Sequence, residues 1–138
     1  MKTKQKIFFA KLIFWIISFF FPINLIVKRN KINWNLNLSE AIDLHIFIFG
    51  GFEKEITKIA KKLNLNRYNQ IIDIGANFGI QSLQFAQSFS KSKIFSIEPT
   101  DYAFDKLNKN LKLNPQLSKN IYPFHMFLGL KGKKKPMS

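Results

Sequence analysis

Two short apolar runs, each ending in an acidic residue, hold the side chains whose types and spacing best suit ligand chemistry. The first run starts at Ile71 and leads through Asp73 into the turn Gly75 to Gly79, and the second run ends in Glu98. Isoleucine-rich runs one helix length apart are typical of consecutive parallel strands in an α/β sheet. Because ligands bind at the carboxyl ends of such strands, these acids and glycines are candidate binding residues.

The turn after the first run allows a ligand to approach the backbone closely. Gly75 and Gly79 flank three residues, Ala76 to Phe78, so the chain can turn sharply without a Cβ in the way. The helix that opens near Asn77 or Phe78 offers unpaired N–H groups and the positive end of its dipole, which suit an anionic group. The methionine carboxylate of S-adenosylmethionine is such a group, and the pattern therefore predicts this cofactor.

The two acids have distinct expected roles. Asp73 is placed to accept hydrogen bonds from the cofactor's amino group or to brace the turn. Glu98 is placed to accept both ribose hydroxyls, as an acid about 20 residues beyond the glycine turn does in dinucleotide sites. Spacing alone leaves nicotinamide cofactors open, and it leaves open a purely structural reading in which the acids only end strands.

The glycine pattern argues against a nicotinamide cofactor. A dinucleotide fingerprint reads G-x-G-x-x-G, whereas Asn77 stands where the second glycine would be and Gly79 comes one position too early. The presence of two strands of the same type weighs against the purely structural reading.

Three segments resemble successive landmarks of the FkbM-type methyltransferase family. They are DLHIFIFGGFEKE (43–55), IIDIGANFGIQSLQFA (71–86) and FSIEPTDYAFDKLNKNLKLN (95–114). In that family the D-x-G-A-N-x-G turn and the following E-P acid belong to the S-adenosylmethionine site. The resemblance therefore implies cofactor-binding roles for Asp73, Gly75, Ala76, Asn77, Gly79 and Glu98.

The resemblance also implies an activity. Members of the family mostly methylate hydroxyl oxygens, so we expect O-methyl transfer to a small molecule or a glycan. No catalytic base can be assigned in this chain. Asp101 lies just beyond the ribose-binding acid, but starting the next helix is its better-supported role.

The fold class implied is α/β, with a Rossmann-like class I methyltransferase sheet that is incomplete. The resemblance starts near Trp34 and implies the first three parallel strands, preceded by an N-terminal hairpin and helix. The family's later K-x-D-x-E-G-like segment is absent from these 138 residues, and Leu130-Lys131 stand where the family has a small polar residue and an acid. With strand order three, two, one, the first strand would keep an open edge.

Three hypotheses follow from this incomplete pattern. The favoured one is a truncated methyltransferase. The second is a non-catalytic S-adenosylmethionine-binding module that is completed by a partner chain covering the open sheet edge. The third is a basic, membrane-associated protein in which the motif is a relic.

Composition narrows the remaining possibilities. The length suits one modest domain, and the absence of cysteine excludes disulfides and thiolate metal sites. His45 and His125 are isolated among apolar residues, so we expect them to be core or half-buried rather than metal ligands. The formal charge of +14 is diffuse and comes with no nucleic-acid-binding motif, which argues against nucleic acid as a partner.

The N-terminal segment, residues 1–31, is apolar and flanked by cations. The tract from Ile7 to Val27 approaches the about 20 residues of a spanning helix, but Lys11 and Pro22 interrupt it. It could span a membrane, lie in the interface or pack on the domain as an amphipathic cap. We favour membrane contact through residues 7–27. Because S-adenosylmethionine is a cytosolic cofactor, we expect the domain in the cytoplasm, attached to the inner face of the membrane.

The remaining elements follow from periodicity. Alternation over Ile32 to Leu38 predicts a strand that pairs with Leu44 to Phe49, and helical spacing predicts a helix over Phe52 to Leu65 that covers one face of the sheet. A second helix is predicted over Asp101 to Leu113, with Thr100 or Asp101 as N-cap.

These elements set the expected domain boundaries. The partial methyltransferase domain is expected over residues 32–130, with its third strand and the turn after it within Asn120 to Leu130. A basic, disordered tail is expected over residues 131–138.

Overall fold

A computed structural model describes residues 15–17, 19–63 and 68–129 of the chain. The elements with defined bounds alternate between strands and helices after an initial hairpin. In chain order they are β1 (Asn24–Arg29), β2 (Ile32–Asn37), α1 (Ala41–Phe49), α2 (Lys54–Lys62), β3 (Gln70–Ile74), α3 (Ile80–Ser88), β4 (Lys93–Glu98), α4 (Asp101–Lys112), α5 (Pro115–Ser118) and β5 (Ile121–His125).

The three later strands form a parallel sheet in the order β3-β4-β5. This confirms the predicted α/β class and strand order. The helix α3 connects β3 to β4, and α4 with α5 connects β4 to β5. The carboxyl ends of β3 and β4 therefore lie side by side, which is where the candidate binding residues were predicted.

One face of this sheet is covered and the other is not. Ile94 and Ser96 of β4 and Ile121 of β5 are buried on the covered face. On the other face Ile72 and Ile74 of β3 are 63% and 68% exposed. Their in-register neighbours continue this face across the sheet, and they are Phe95, Ile97, Tyr122 and Phe124. Parallel sheets are normally buried on both faces, so this apolar face lacks a layer among the described residues.

The edge of β3 is uncovered as well. In the described part of the chain β3 pairs only with β4. This agrees with the open edge expected from the strand order. An unpaired apolar strand of this kind is a site for pairing with another segment or chain.

The hairpin is present, but one of its predicted strands was wrong. β2 pairs antiparallel with β1, not with residues 44–49, which belong to helix α1. The apolar run in α1 is short, and periodicity cannot distinguish a short buried strand from a helix there. Gly50 has a left-handed φ of 74° and ends the helix by donating its N–H to the Ile46 carbonyl.

The hairpin also crosses the predicted domain boundary. Asn30 and Lys31 form its two-residue turn with φ values of 49° and 65°, as a type I′ turn requires. The boundary after residue 31 falls in this turn, so β1 and β2 are one unit. In β1, Leu25 and Val27 lie opposite Leu36 and Trp34 and share their core-facing side.

Helix α2 is confirmed, but it does not cover the sheet as expected. It packs beside α3, and only Ala60 on its apolar side is buried. Ile56, Ile59 and Leu63 are exposed. This helix thus adds further apolar surface beside the uncovered sheet.

Helix α4 is confirmed, and it completes the hairpin through asparagine side chains. Asn110 Oδ1 accepts the Asn35 N–H at 2.8 Å, and Asn114 Oδ1 accepts the Asn33 N–H at 2.8 Å. Asn110 Nδ2 also donates to the Phe78 carbonyl at 2.9 Å. These amides replace the neighbouring strand that the outer edge of β2 lacks.

Several predictions on the termini lie outside the described residues. They are the structure of residues 7–14, the basic tail 131–138 and the family comparison at Leu130-Lys131. Among the described residues, no helix combines the length and apolar character needed to cross a bilayer.

Replacing Asn110 with alanine should destabilise the fold by about 2 kcal/mol or more, because the Asn35 N–H and Phe78 carbonyl would lose their partner in a buried position. Asn108→Ala is the matched control on the same helix. Asn108 donates one half-buried bond to Phe104, so its loss should cost less than about 1 kcal/mol. Urea denaturation of both variants measures the difference, and equal losses would contradict the bridging role of Asn110.

Candidate functional site

The turn between β3 and α3 has three left-handed residues. Gly75, Asn77 and Gly79 have φ values of 74°, 49° and 89°. Glycine adopts this conformation without strain, and asparagine tolerates it better than most residues. The N–H groups of Gly75 and Ala76 both donate to the Ile97 carbonyl, at 2.9 and 3.0 Å. The end of β4 therefore holds the start of the turn in place.

Glu98 connects this turn to the next one. Its Oε2 accepts the Asn77 N–H at 2.9 Å, and its Oε1 accepts the Thr100 N–H at 3.0 Å and the Thr100 hydroxyl at 2.6 Å. The residue is only 6% exposed. Burial acts to raise the pKa of Glu98, but these hydrogen bonds and the nearby His125 outweigh it and hold the pKa below its usual value. A charged carboxylate thus organises the ends of both strands.

Asp73 faces the start of α3. Its Oδ2 accepts the Ser82 hydroxyl at 2.5 Å, and Ser82 Oγ lies 2.7 Å from Ser96 Oγ. Burial raises the pKa of Asp73, and the hydrogen bonds from Ser82 offset this only in part. Of its two predicted roles, bracing the turn is the one for which the described contacts provide a partner.

Gly79 is required by packing as well as by its backbone conformation. A Cβ built on Gly79 would lie 2.6 Å from Leu107 Cδ1 in α4. A Cβ on Gly75 would meet nothing within 4 Å. The first glycine of the turn therefore borders open space, and the last one lets α4 pack against the start of α3.

The structure brings the six predicted residues together at the carboxyl ends of β3 and β4. Asp73 lies one residue before the end of β3, and Glu98 is the last residue of β4. Gly75, Asn77 and Gly79 form the turn that follows β3. Ala76 is buried beneath it.

The sequence reasoning missed Ser82, Ser96 and the hydroxyl role of Thr100. Thr100 is the N-cap of α4 as predicted, but its hydroxyl donates to Glu98 rather than capping the helix. A serine on a helix carries no local sign of a distant partner, so no sequence signal could have identified these contacts.

A second group of charged side chains lies behind the turn. Lys106 Nζ is 2.9 Å from Glu40 Oε2 and 2.6 Å from Asp43 Oδ2, and it lies 4.3 Å from the centre of the Phe78 ring. The Tyr102 hydroxyl donates to Glu40. Since α1 and α4 supply these groups, the cluster fixes both helices against the turn residue Phe78.

The ionisation of this cluster follows from its ion pairs. Burial lowers the pKa of Lys106, but its bonds to Asp43 and Glu40 outweigh this and raise the pKa. Burial raises the pKa of Asp43, and Lys106 offsets this only in part. Asp43 Oδ1 has no hydrogen-bond partner among the described residues. Removing Lys106 would leave the buried Asp43 without its cation.

The two histidines are more exposed than predicted. His45 and His125 are both on the surface. His125 stacks on Phe104 with ring centres 4.7 Å apart and lies 3.3 Å from Asp101 Oδ1. Within the described residues, no group of three or more potential metal-ligating side chains occurs.

Comparisons with known proteins agree with this architecture. No protein-family model matches the chain. The methyltransferase sdnD of Sordaria araneosa is 42% identical over 48 residues, which is 35% of this chain and 18% of that protein. Over this segment the chain is therefore related to a methyltransferase.

Solved structures are similar over a larger share of the chain. One is M. jannaschii TYW2 in complex with AdoMet, with a TM-score of 0.51 and 16% sequence identity. The matched region is 75% of this chain and 43% of the TYW2 chain. Another is aTrm5 in its complex with tRNALeu, with a TM-score of 0.51 and 26% sequence identity. The matched region is 73% of this chain and 27% of the aTrm5 chain. These likenesses establish a Rossmann-like α/β fold of the methyltransferase type.

The chain corresponds to only part of each of these proteins. It spans 18% of the curated relative and less than half of either structure.

Glu98→Gln should lower the free energy of unfolding by about 1 to 3 kcal/mol at pH 7, because one amide nitrogen would replace an accepting oxygen. The pKa of Glu98 in the folded state lies below the usual pKa of a glutamate. The charged carboxylate therefore stabilises the fold at pH values above that usual pKa. This stabilisation is lost as the pH falls through the folded-state pKa. The difference in the free energy of unfolding between Glu98→Gln and the wild type should therefore become smaller at acidic pH.

Denaturation curves from pH 7 to 3 measure this effect. Glu55→Gln is the control, because Glu55 forms only an exposed pair with Lys58 on α2. A pH-independent gap between the Glu98 variant and wild type would show that the charge of Glu98 does not stabilise the fold.

Proposed function

We propose that this chain is the cofactor-binding half of an S-adenosylmethionine-dependent methyltransferase. The observation that carries the proposal is the left-handed turn from Gly75 to Gly79, tied to Glu98 at the ends of two adjacent parallel strands. Ligands bind in α/β folds at this end of the sheet. The fold is shared with a structure that contains AdoMet, and the matched relative is a methyltransferase.

The residues present fit this cofactor. Gly75 borders open space, so a ligand can approach its backbone. A carboxylate offers about four lone-pair positions, and Glu98 uses three of them for Asn77 and Thr100. One ribose hydroxyl can therefore bind without displacing a protein donor. The second hydroxyl would require the Thr100 hydroxyl to rotate away.

The proposed mechanism depends on positioning. S-adenosylmethionine supplies a methyl group that its sulfonium already activates, so alignment of the acceptor accounts for most of the rate. In this chain Glu98 would hold the ribose of the cofactor, and the turn from Gly75 to Gly79 would set how closely the cofactor approaches the backbone. Asp73 holds α3 in place through Ser82. The proton of the acceptor hydroxyl would go to a base outside the described residues.

We assign the acceptor by the FkbM-type resemblance. It implies O-methyl transfer to a hydroxyl of a small molecule or glycan. The D-I-G-A-N-F-G wording of the turn supports this family over other methyltransferases.

A further segment or a partner chain would complete the enzyme. The uncovered face of β3 to β5, the open edge of β3 and the exposed apolar side of α2 are the surfaces on which it would pack. The chain is in this view a truncated family member, or a binding module that works with a second chain. The cytoplasm is the proposed location, since the cofactor is cytosolic.

An RNA acceptor is the second candidate. It is favoured by the likeness to aTrm5, whose structure is a complex with tRNALeu. This likeness does not support the argument from diffuse charge against nucleic acid as a partner. A groove of about 230 Å³ between α2 and α3 supports the RNA candidate, because Lys54, Lys58 and Lys61 line one side and Gln84 and Gln87 the other. Lysines along such a groove suit a phosphate backbone.

Binding of S-adenosylmethionine to the purified chain tests the main proposal. Isothermal titration calorimetry should detect binding, and Glu98→Gln should weaken it about 10-fold or more through the loss of a charged acceptor. Thr100→Val should not weaken binding, because it frees an acceptor position on Glu98. Glu55→Gln should bind as wild type does.

Circular dichroism must show that each variant is folded under the binding conditions. No measurable binding by the folded wild-type chain would contradict the proposal and favour a relic motif. Weakening by Thr100→Val would show that Thr100 itself contacts the cofactor.

The RNA candidate predicts a salt-dependent affinity for a single-stranded RNA oligonucleotide. Lys58→Gln/Lys61→Gln should reduce the slope of log K against log salt by about 1 for each phosphate that a lysine no longer neutralises, as measured by fluorescence anisotropy. The control, Lys91→Gln/Lys93→Gln, removes equal charge outside the groove. If both double variants reduce the slope equally, RNA is attracted by the overall positive charge of the chain, and the groove is not an RNA-binding site.

A further inference from the structure

Exposed apolar side chains occur just before the hairpin and at the end of α1. We call them together the N-terminal aromatic surface. It consists of Trp15, Ile16, Phe19, Phe20 and Phe21, together with Ile48 and Phe49 at the end of α1. Phe21 packs on helix α1, because its ring lies 5.1 Å from that of the buried Phe47.

The side chains of this surface are largely in solvent. Phe19 and Phe20 are 79% and 71% exposed, and their rings pack edge to face at 5.2 Å. Ile17, two residues before Phe19, packs against the core, and the Phe21 N–H donates to the Ile17 carbonyl at 2.9 Å. The core contact thus holds neighbouring aromatic rings at the surface. A contiguous apolar patch of this kind marks an interaction site.

The sequence before Glu40 carries charge of a single sign. The first acidic residue of the chain is Glu40, and seven lysines and arginines precede it. Among them, Lys28 and Lys31 are exposed on the adjacent hairpin. Arg29 is held by the Phe47 carbonyl at 2.8 Å and stacks on its ring, so it connects the cationic hairpin to the aromatic surface.

We propose that the N-terminal aromatic surface binds the interface of an anionic lipid bilayer. Aromatic rings insert at the level of the headgroups, and nearby lysines are attracted to anionic lipids. A protein partner or a second copy would bury the apolar side chains as well. The absence of any acid before Glu40 favours a partner with uniform negative charge, which an anionic membrane provides. The proposal goes beyond the proposed function and is independent of cofactor binding.

Vesicle flotation with the full 138-residue chain tests the proposal. We expect the chain to float with vesicles that contain phosphatidylglycerol and phosphatidylcholine, and to bind vesicles of phosphatidylcholine alone much more weakly. Phe19→Ser/Phe20→Ser should reduce partitioning about 10-fold or more, because two exposed rings lose their insertion. Lys28→Gln/Lys31→Gln should reduce partitioning about fivefold for each charge, on anionic vesicles only.

Two matched controls distinguish binding through this surface from nonspecific binding of the chain to vesicles. Phe127→Ser removes a ring that is 73% exposed at the other end of the described chain. Lys91→Gln/Lys93→Gln removes two exposed lysines far along the sequence. Both should float as the wild type does.

Three outcomes would overturn the proposal. One is the absence of flotation with anionic vesicles, and another is an equal loss in the control variants. The third is a wild-type oligomer in analytical ultracentrifugation that Phe19→Ser/Phe20→Ser dissociates without any vesicle binding, which would assign the surface to a second copy. Circular dichroism and urea denaturation show that the variants are folded.

Discussion

The backbone N–H groups at the ends of β3 and β4 need acceptors, and two groups on β4 supply them. The Ile97 carbonyl accepts from Gly75 and Ala76, and the Glu98 carboxylate accepts from Asn77 and Thr100. An unpaired N–H in this position would cost as much as a lost hydrogen bond. The left-handed turn, the start of α3 and the start of α4 all depend on this arrangement. It places the backbone of Gly75 beside open space, with the charged Glu98 carboxylate at the end of the neighbouring strand.

The second constraint is that a parallel sheet has two faces to bury. Here α3 covers the face that contains Asp73 and Ser96, and the face of Ile72 and Ile74 is left in solvent among the described residues. Burial contributes about 25 cal/mol for each Å² of apolar surface, so this face represents stabilisation that another segment could provide. The chain also spans only part of the methyltransferase relative and of the AdoMet-bound structure.

The uncovered sheet face and the N-terminal aromatic surface differ in how their side chains are arranged and in the charges near them in the sequence. We propose different partners for them for this reason. The sheet face is formed by alternate residues of regular strands, as expected of a surface that packs against protein. The N-terminal aromatic surface is formed by adjacent aromatic residues in a stretch that has cations and no acids before Glu40. Irregular aromatic clusters with cations suit a fluid interface, whereas a pleated face suits a matching helix layer.

The sequence by itself determined the parallel strands, the glycine turn and helix α4, because each depends on a local pattern of apolar residues, glycines and caps. The six candidate residues share this property, since they lie within two short motifs. The strand order was expected only from the resemblance to the FkbM-type family. The tertiary structure alone decided that residues 44–49 form a helix and that β1 pairs with β2. It also decided that Asn110 bridges β2 and Phe78, and that Lys106 pairs with Asp43 and Glu40. The reason is physical: a short apolar run or a single polar side chain can satisfy several local structures, and the choice among them depends on partners distant in sequence.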